Sequence, residues 1–263
     1  MVYRSPLFKS WRRVAFDRSI IKLARHIEHD ERSRDYGITI RDGARVASVE
    51  WKRYSAILDQ GDLGSCTGNA IVGALEVLEN KGGGEFIDLS RLFVYWNERN
   101  LEGTVNEDAG AFIRDGIKVV ASFGACAEKL WPYDETRWAE RPGHAAFVDA
   151  TKRRVTEYAR VDQDRYQIRS VLASGFPIVF GMSVYDSFMS DAVAANGVVP
   201  MPAATESCQG GHAVLAVGYD DEKDAVLVRN SWGADWGQAG YFWLPYAYIT
   251  HPDLASDLWV VRH

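Results

Sequence analysis

Apolar positions follow two different periods along this chain. After Gln60 a glycine-rich turn, with Gly61, Gly64 and Gly68, leads into Ala70, Ile71, Ala74, Leu75, Val77 and Leu78. That spacing predicts a helix over about 66–80, buried on most sides. Lys81-Gly82-Gly83-Gly84 is its stop signal. Ser90 is placed to cap a second helix with Leu92, Phe93, Tyr95 and Trp96 on its inner side. A third, over about 111–122, turns Ile113, Ile117, Val120 and Ala121 inward. From about Val155 the texture becomes that of strands. Arg154 to Val161 alternates, and 166–174 forms a short helix ending at Gly175. The runs 177–184, 212–220, 225–229, 241–244 and 257–261 read as strands between charged or glycine turns. Val46 to Tyr54 reads as an extended lead-in. A helical first half and a strand-rich second half predict an α+β chain with two lobes, helical over about 60–150 and β-rich over about 151–263.

Composition narrows the classes. The 263 residues are 47% apolar and 12% aromatic, enough for a packed core in one large domain or two small ones. A net charge of -6 argues against a nucleic-acid binder. No run of 18 apolar residues exists, so no membrane span is expected. Met1 to Ser19 is basic without an apolar segment, so no cleavable secretory signal is expected. The expected location is the cytoplasm, or outside it by a route that needs no cleavable signal. Three cysteines, Cys66, Cys126 and Cys208, suit a reducing compartment better than a disulfide framework.

Residues 1–45 form a distinct N-terminal extension. Trp11, Val14, Ala15, Ile21, Ala24 and Ile27 approximate one helix face among charged neighbours. Eleven Lys and Arg against six Asp and Glu leave this stretch at +5 and the remainder at -11. Opposite potentials attract, so the extension is expected to dock on its own acidic body; a disordered or separately used arm is the alternative. His26 and His29 stand three apart on a charged face, the ordinary setting of solvated histidines, and no metal site is expected.

The candidate chemistry sits at the head of the first helix. There Cys66 meets unpaired backbone N–H groups and the positive end of the helix dipole, both of which favour thiolate. A buried structural cysteine is the plain alternative. Far downstream lie Gly210-Gly211-His212-Ala213-Val214-Leu215-Ala216-Val217-Gly218-Tyr219 and Arg229-Asn230-Ser231-Trp232-Gly233. Cys66 and His212 are 146 positions apart, inside the Cys-to-His range of papain and the cathepsins. With Gln60-Gly61 and Gly64-Ser65-Cys66, these stretches resemble the papain family of cysteine peptidases over about residues 46–263. Taken singly, Gln60 reads equally as a loop residue, His212 as a core histidine, Asn230 as a turn cap and Trp232 as core.

The resemblance implies a papain-like two-lobe fold with the cleft between lobes, and a thiol peptidase that needs no cofactor and acts on protein or peptide substrates. It assigns Cys66 as nucleophile, His212 as proton shuttle, Asn230 as its orienting partner and Gln60 as oxyanion donor. Trp232 would cover the histidine–asparagine contact, and Gly64, Gly110 and Gly211 would border the bound peptide. Residues 1–45 would be a short pro-segment. Thr67 stands where relatives carry a bulky aromatic, and Leu63 stands where many carry a half-cystine, so that disulfide is missing. These departures resemble a bacterial branch. The same residues would equally serve deamidation, transamidation or cleavage of one dedicated target, and a catalytically silent peptide-binding module is the third reading.

Overall fold

The computed structural model describes residues 48–50, 56–81, 83 and 86–262. The N-terminal extension, its predicted helix face, its two histidines and its docking lie outside the described residues. Helix α1 (Cys66–Asn80) is buried continuously from Cys66 to Val77, as its apolar spacing demands. Helix α2 (Arg91–Glu102) starts at Ser90, whose hydroxyl accepts the Phe93 N–H at 3.1 Å, and stops at Gly103 with φ 76°. A Cβ on Gly68 would lie 2.8 Å from the Arg91 carbonyl, so α1 and α2 touch there at glycine distance.

Helix α3 (Ile113–Ser122) begins two residues later than its pattern suggests. The extended Phe112 gives its N–H to Glu102 at 2.8 Å instead of to a helical turn. Ile113, Ile117 and Val120 are buried as expected, but Gly116 and Val119 join them while Ala121 is only half-buried, so the inward stripe is centred slightly off the expected one. Three short helices carry too few residues to show a period: α4 (His144–Ala150), α6 (Asp191–Asn196) and α7 (Tyr246–Ile249). Between them lies α5 (Arg165–Ala173), capped by Asp164.

The strands are β1 (Ser48–Glu50), β2 (Glu157–Arg160), β3 (Ile178–Tyr185), β4 (Cys208–Asp220), β5 (Ala225–Arg229), β6 (Tyr241–Pro245) and β7 (Ala255–Arg262). They form one antiparallel sheet in the order β2-β7-β3-β4-β5-β6. β4 is the long central strand. β3 pairs with it as far as Ala216, and β1 takes over that edge from Gly218 to Asp220. Pairing with β3 reaches back to Cys208, so β4 starts four residues before the expected His212. The strand alternates between two cores. Ala213, Leu215 and Val217 pack on the helical side with α1, whereas Val214 and Ala216 pack among the strands and α5.

The two halves are joined through a buried charge pair. Glu76 of α1 and Arg229 of β5 lie 3.9 Å apart with side chains 0% and 3% exposed, and Glu76 also accepts the Leu89 N–H at 3.2 Å. Gly73 makes room for the guanidinium, since a Cβ there would fall 2.0 Å from Nη1. Removing one partner of such a pair strands a charge in the interior. Arg229→Met is expected to cost about 3–5 kcal/mol in urea unfolding; a loss within about 0.5 kcal/mol would show that the pair carries no such constraint.

Candidate active site

Cys66 is the first residue of α1 and packs beside Ala213, the neighbour of His212 on β4. Gln60 reaches the same place because the chain around Asp59 bridges Trp232: Gln60 N–H donates to the Ser231 carbonyl at 2.9 Å, and Gly233 N–H to the Leu58 carbonyl at 3.1 Å. The fold therefore gathers Cys66, His212, Asn230, Gln60 and Trp232 from four separate stretches. All but Trp232, which is half-buried, are buried.

The hydrogen bonds orient these groups one by one. Asn230 Oδ1 accepts the Ser231 N–H at 2.9 Å and faces His212 Nε2 at 2.8 Å. An oxygen so held makes Nε2 the protonated nitrogen of the neutral ring, and assigns Nδ1 as its basic nitrogen. Trp232 stacks on the imidazole with centroids 5.0 Å apart at 24°, and is backed by Phe188 and Trp236. Gln60 Oε1 accepts from Ser231 Oγ at 2.6 Å, while Nε2 gives one hydrogen to the Leu63 carbonyl at 2.8 Å and keeps a second. Sequence reasoning passed over Ser231, although it lies inside the Asn-Ser-Trp-Gly stretch. Its hydroxyl fixes which end of the Gln60 amide is the donor.

Burial sets the protonation. It pushes the Cys66 thiol up to about 11, against backbone N–H donors at Ala213, Thr67 and Cys66 that favour the thiolate. Burial likewise pulls His212 down to about 4, opposed by its bond to Asn230. Backbone N–H groups around the helix terminus favour thiolate as the position of Cys66 implies, but burial outweighs them. Thr67 faces inward and donates to Glu98 Oε2 at 2.7 Å. Burial pushes this wholly buried carboxyl up to about 8, against that hydrogen bond.

The turn before Cys66 is braced on two sides. Tyr133 donates to the Gln60 carbonyl at 2.7 Å and lies 2.7 Å from Ser65 Oγ, with the Arg91 guanidinium 3.7 Å above its ring. Gly64 lies close to Gly110: a Cβ on Gly64 would fall 3.3 Å from Gly110 N. Gly211 is buried opposite Ser183 in the β3–β4 register. Cys126 is buried, Cys208 is exposed, and all three thiols are free, which rules out a bond between those two. Among the described residues no group of three His, Cys, Asp or Glu side chains is placed to hold a metal ion, and no helix is long and apolar enough to cross a membrane.

Residues 46–258 match the family model described as papain family cysteine protease. A peptidase C1-like protein of Acanthamoeba polyphaga mimivirus is 44% identical over 214 residues, covering 78% of this chain and 69% of that one. Xylellain, a cysteine protease from Xylella fastidiosa, superposes with a TM-score of 0.78 at 41% identity, over 82% of this chain and 85% of its own. Digestive procathepsin L2 from the larval midgut of Tenebrio molitor superposes with a TM-score of 0.68 at 26% identity, over 84% and 69%.

The Glu98 carboxyl generates a test. Its folded pKa lies above its unfolded one, so the folded chain keeps a proton that the unfolded chain releases between about pH 4.5 and pH 8. Stability conferred by the neutral acid is complete below the unfolded value and is lost as pH rises through the folded one. Glu98→Gln keeps an acceptor for Thr67 and cannot ionise. Unfolding free energies from urea titrations at about pH 5 and about pH 8 should fall with pH in the wild type and fall by roughly 2–4 kcal/mol less in the variant. Equal declines would show that Glu98 titrates normally.

Proposed function

The chain belongs to the papain family of cysteine proteases, and we propose that it hydrolyses peptide bonds through a covalent acyl-enzyme on Cys66. One observation carries this reading: a cysteine at a helix N-terminus meets the backbone N–H of Ala213, next to a histidine whose Nε2 is held by Asn230 at 2.8 Å, with Gln60 fixed by Ser231 at 2.6 Å. In this mechanism the Cys66 proton passes to Nδ1 of His212. The resulting thiolate and imidazolium attract each other, which offsets part of their burial. Sγ attacks the peptide carbonyl, an S–C bond forms, and the π pair moves to oxygen. The second hydrogen of Gln60 Nε2 and the Cys66 N–H receive that oxyanion. Collapse breaks the C–N bond as Nδ1 returns its proton to the amine. A water, deprotonated by His212, then attacks the thioester, and the carboxylic acid leaves as Cys66 regains its proton. Asn230 holds the ring on edge throughout, and Trp232 shields their contact from water.

Residues 1–45 would restrain this activity as a pro-segment. The charge contrast of +5 against -11 supports it, and so does the likeness to a procathepsin. A broad protease acting where it is made would be hazardous, and such a segment delays its action.

A peptidyl epoxide that alkylates papain-type thiolates tests both parts by intact mass. One adduct is expected on the wild type and none on Cys66→Ala, with faster labelling once residues 1–45 are removed. A folded wild type that takes no adduct in either form would sink the peptidase reading; equal rates with and without the extension would sink the pro-segment. Turnover gives a third measurement. Gln60→Ala removes one oxyanion donor and should lower kcat about 10²–10³-fold, whereas a change confined to KM would remove Gln60 from the hole.

A further inference from the structure

We infer that the Asp108 carboxylate and the Tyr95 hydroxyl are positioning residues for peptide binding, clamping the Gly64 turn to the Gly110 loop as a disulfide would. The inference rests on the reading that Gly64 and Gly110 border the bound peptide. Leu63 is buried next to Gly64, and all three thiols of the chain are free, so no covalent bond joins these walls. A hydrogen-bonded circuit takes its place. Gly64 N–H points at both oxygens of Asp108, at 3.0 and 3.1 Å. Tyr95 donates its hydroxyl hydrogen to Asp108 Oδ1, and the same hydroxyl accepts the Gly110 N–H at 3.3 Å. The circuit therefore runs from one glycine N–H to the other through a single carboxylate and a single phenol.

Each member is held from behind. Tyr95 is fully buried on α2, and its ring carries the Arg99 guanidinium 4.1 Å from the centroid. Arg99 in turn donates to the carbonyls of Val105 and Glu107 at 3.1 and 3.4 Å, and to that of Trp138. The loop that presents Asp108 is thus moulded onto the same helix that supplies Tyr95. Burial and the Asp108 charge raise the Tyr95 pKa, so its hydroxyl stays a donor. A carboxylate accepting several N–H and O–H donors forms stronger, shorter bonds than a neutral acceptor. Gly64 lies so near Gly110 that a Cβ on it would fall 3.3 Å from Gly110 N, and losing the carboxylate lets one wall shift against the other. Backbone-to-backbone substrate recognition depends on that separation more than does the chemistry at Cys66, whose neighbours Ser65 and Gln60 are held separately by Tyr133 and Ser231.

The test uses the full chain as wild type, Asp108→Ala, Asp108→Asn and Tyr95→Phe. Two rates are compared: turnover of an extended peptide amide, and alkylation of Cys66 by iodoacetamide, which needs neither glycine wall. In Asp108→Ala, KM should rise about tenfold while kcat and the iodoacetamide rate stay within about threefold of wild type. Asp108→Asn keeps one shared acceptor and should fall between the two. Tyr95→Phe, which strands the Gly110 N–H, should raise KM in the same direction. If Asp108→Ala does not fold, the other two variants decide. Unchanged KM in a folded variant, or kcat and alkylation falling in parallel with kcat/KM, overturns the clamp while wild-type turnover leaves the peptidase reading standing. A wild type that alkylates but turns over no peptide overturns both.

Discussion

The pair between Glu76 and Arg229 is the constraint on which the site geometry depends. Cys66 and Glu76 lie ten residues apart on one rigid helix, roughly 15 Å along its axis. Arg229 ends β5 and directly precedes Asn230, whose side chain orients the histidine. Locking charge to charge at this depth fixes how far α1 can slide or turn against the sheet. A buried pair is weak evidence of stability, because desolvation consumes much of its attraction. It discriminates strongly among arrangements, since any displacement leaves two ions in an apolar medium. Gly73 shows how tight the arrangement is: the guanidinium occupies space that any side chain at that helix position would need.

A second tension lies in the enclosure of the site. Stacked Trp232 and the tight lobe junction exclude water, which strengthens each hydrogen bond to the reacting groups and also disfavours charge on them. Cys66 and His212 are both driven toward neutrality, although a helix terminus and three backbone N–H groups pull the other way. Glu98 fits the same balance. A carboxylate at that place would oppose a thiolate on Cys66, and burial keeps the acid neutral at neutral pH.

Much of this was legible from residue order. The core of α1 and its stop after Asn80, the Ser90 cap and the span of β5 follow from local rules, because each depends on neighbours a few positions away. Cys66, His212, Asn230 and Gln60 stood in motifs, and the fold does assemble them, with β4 and the bridge near Asp59 bringing together stretches up to 171 positions apart. What stayed hidden is long-range and polar. Nothing near Asp108 announces that it will meet Gly64, 44 positions away. Nor does Thr67 reveal Glu98, 31 positions on, since a threonine in a buried helix usually means packing. The early start of β4 was hidden by Gly210 and Gly211, which read as a turn but extend the pairing with β3.

The free cysteines carry a consequence for the order of events after synthesis. A cleft wall closed by a disulfide stays unfinished until an oxidant reaches it, a step that takes seconds to hours. Here that wall is joined by the Gly64–Asp108–Tyr95–Gly110 hydrogen bonds, which form as the loops pack onto α2. Closing that wall then needs no oxidant, and its geometry is complete within the folding time of the chain.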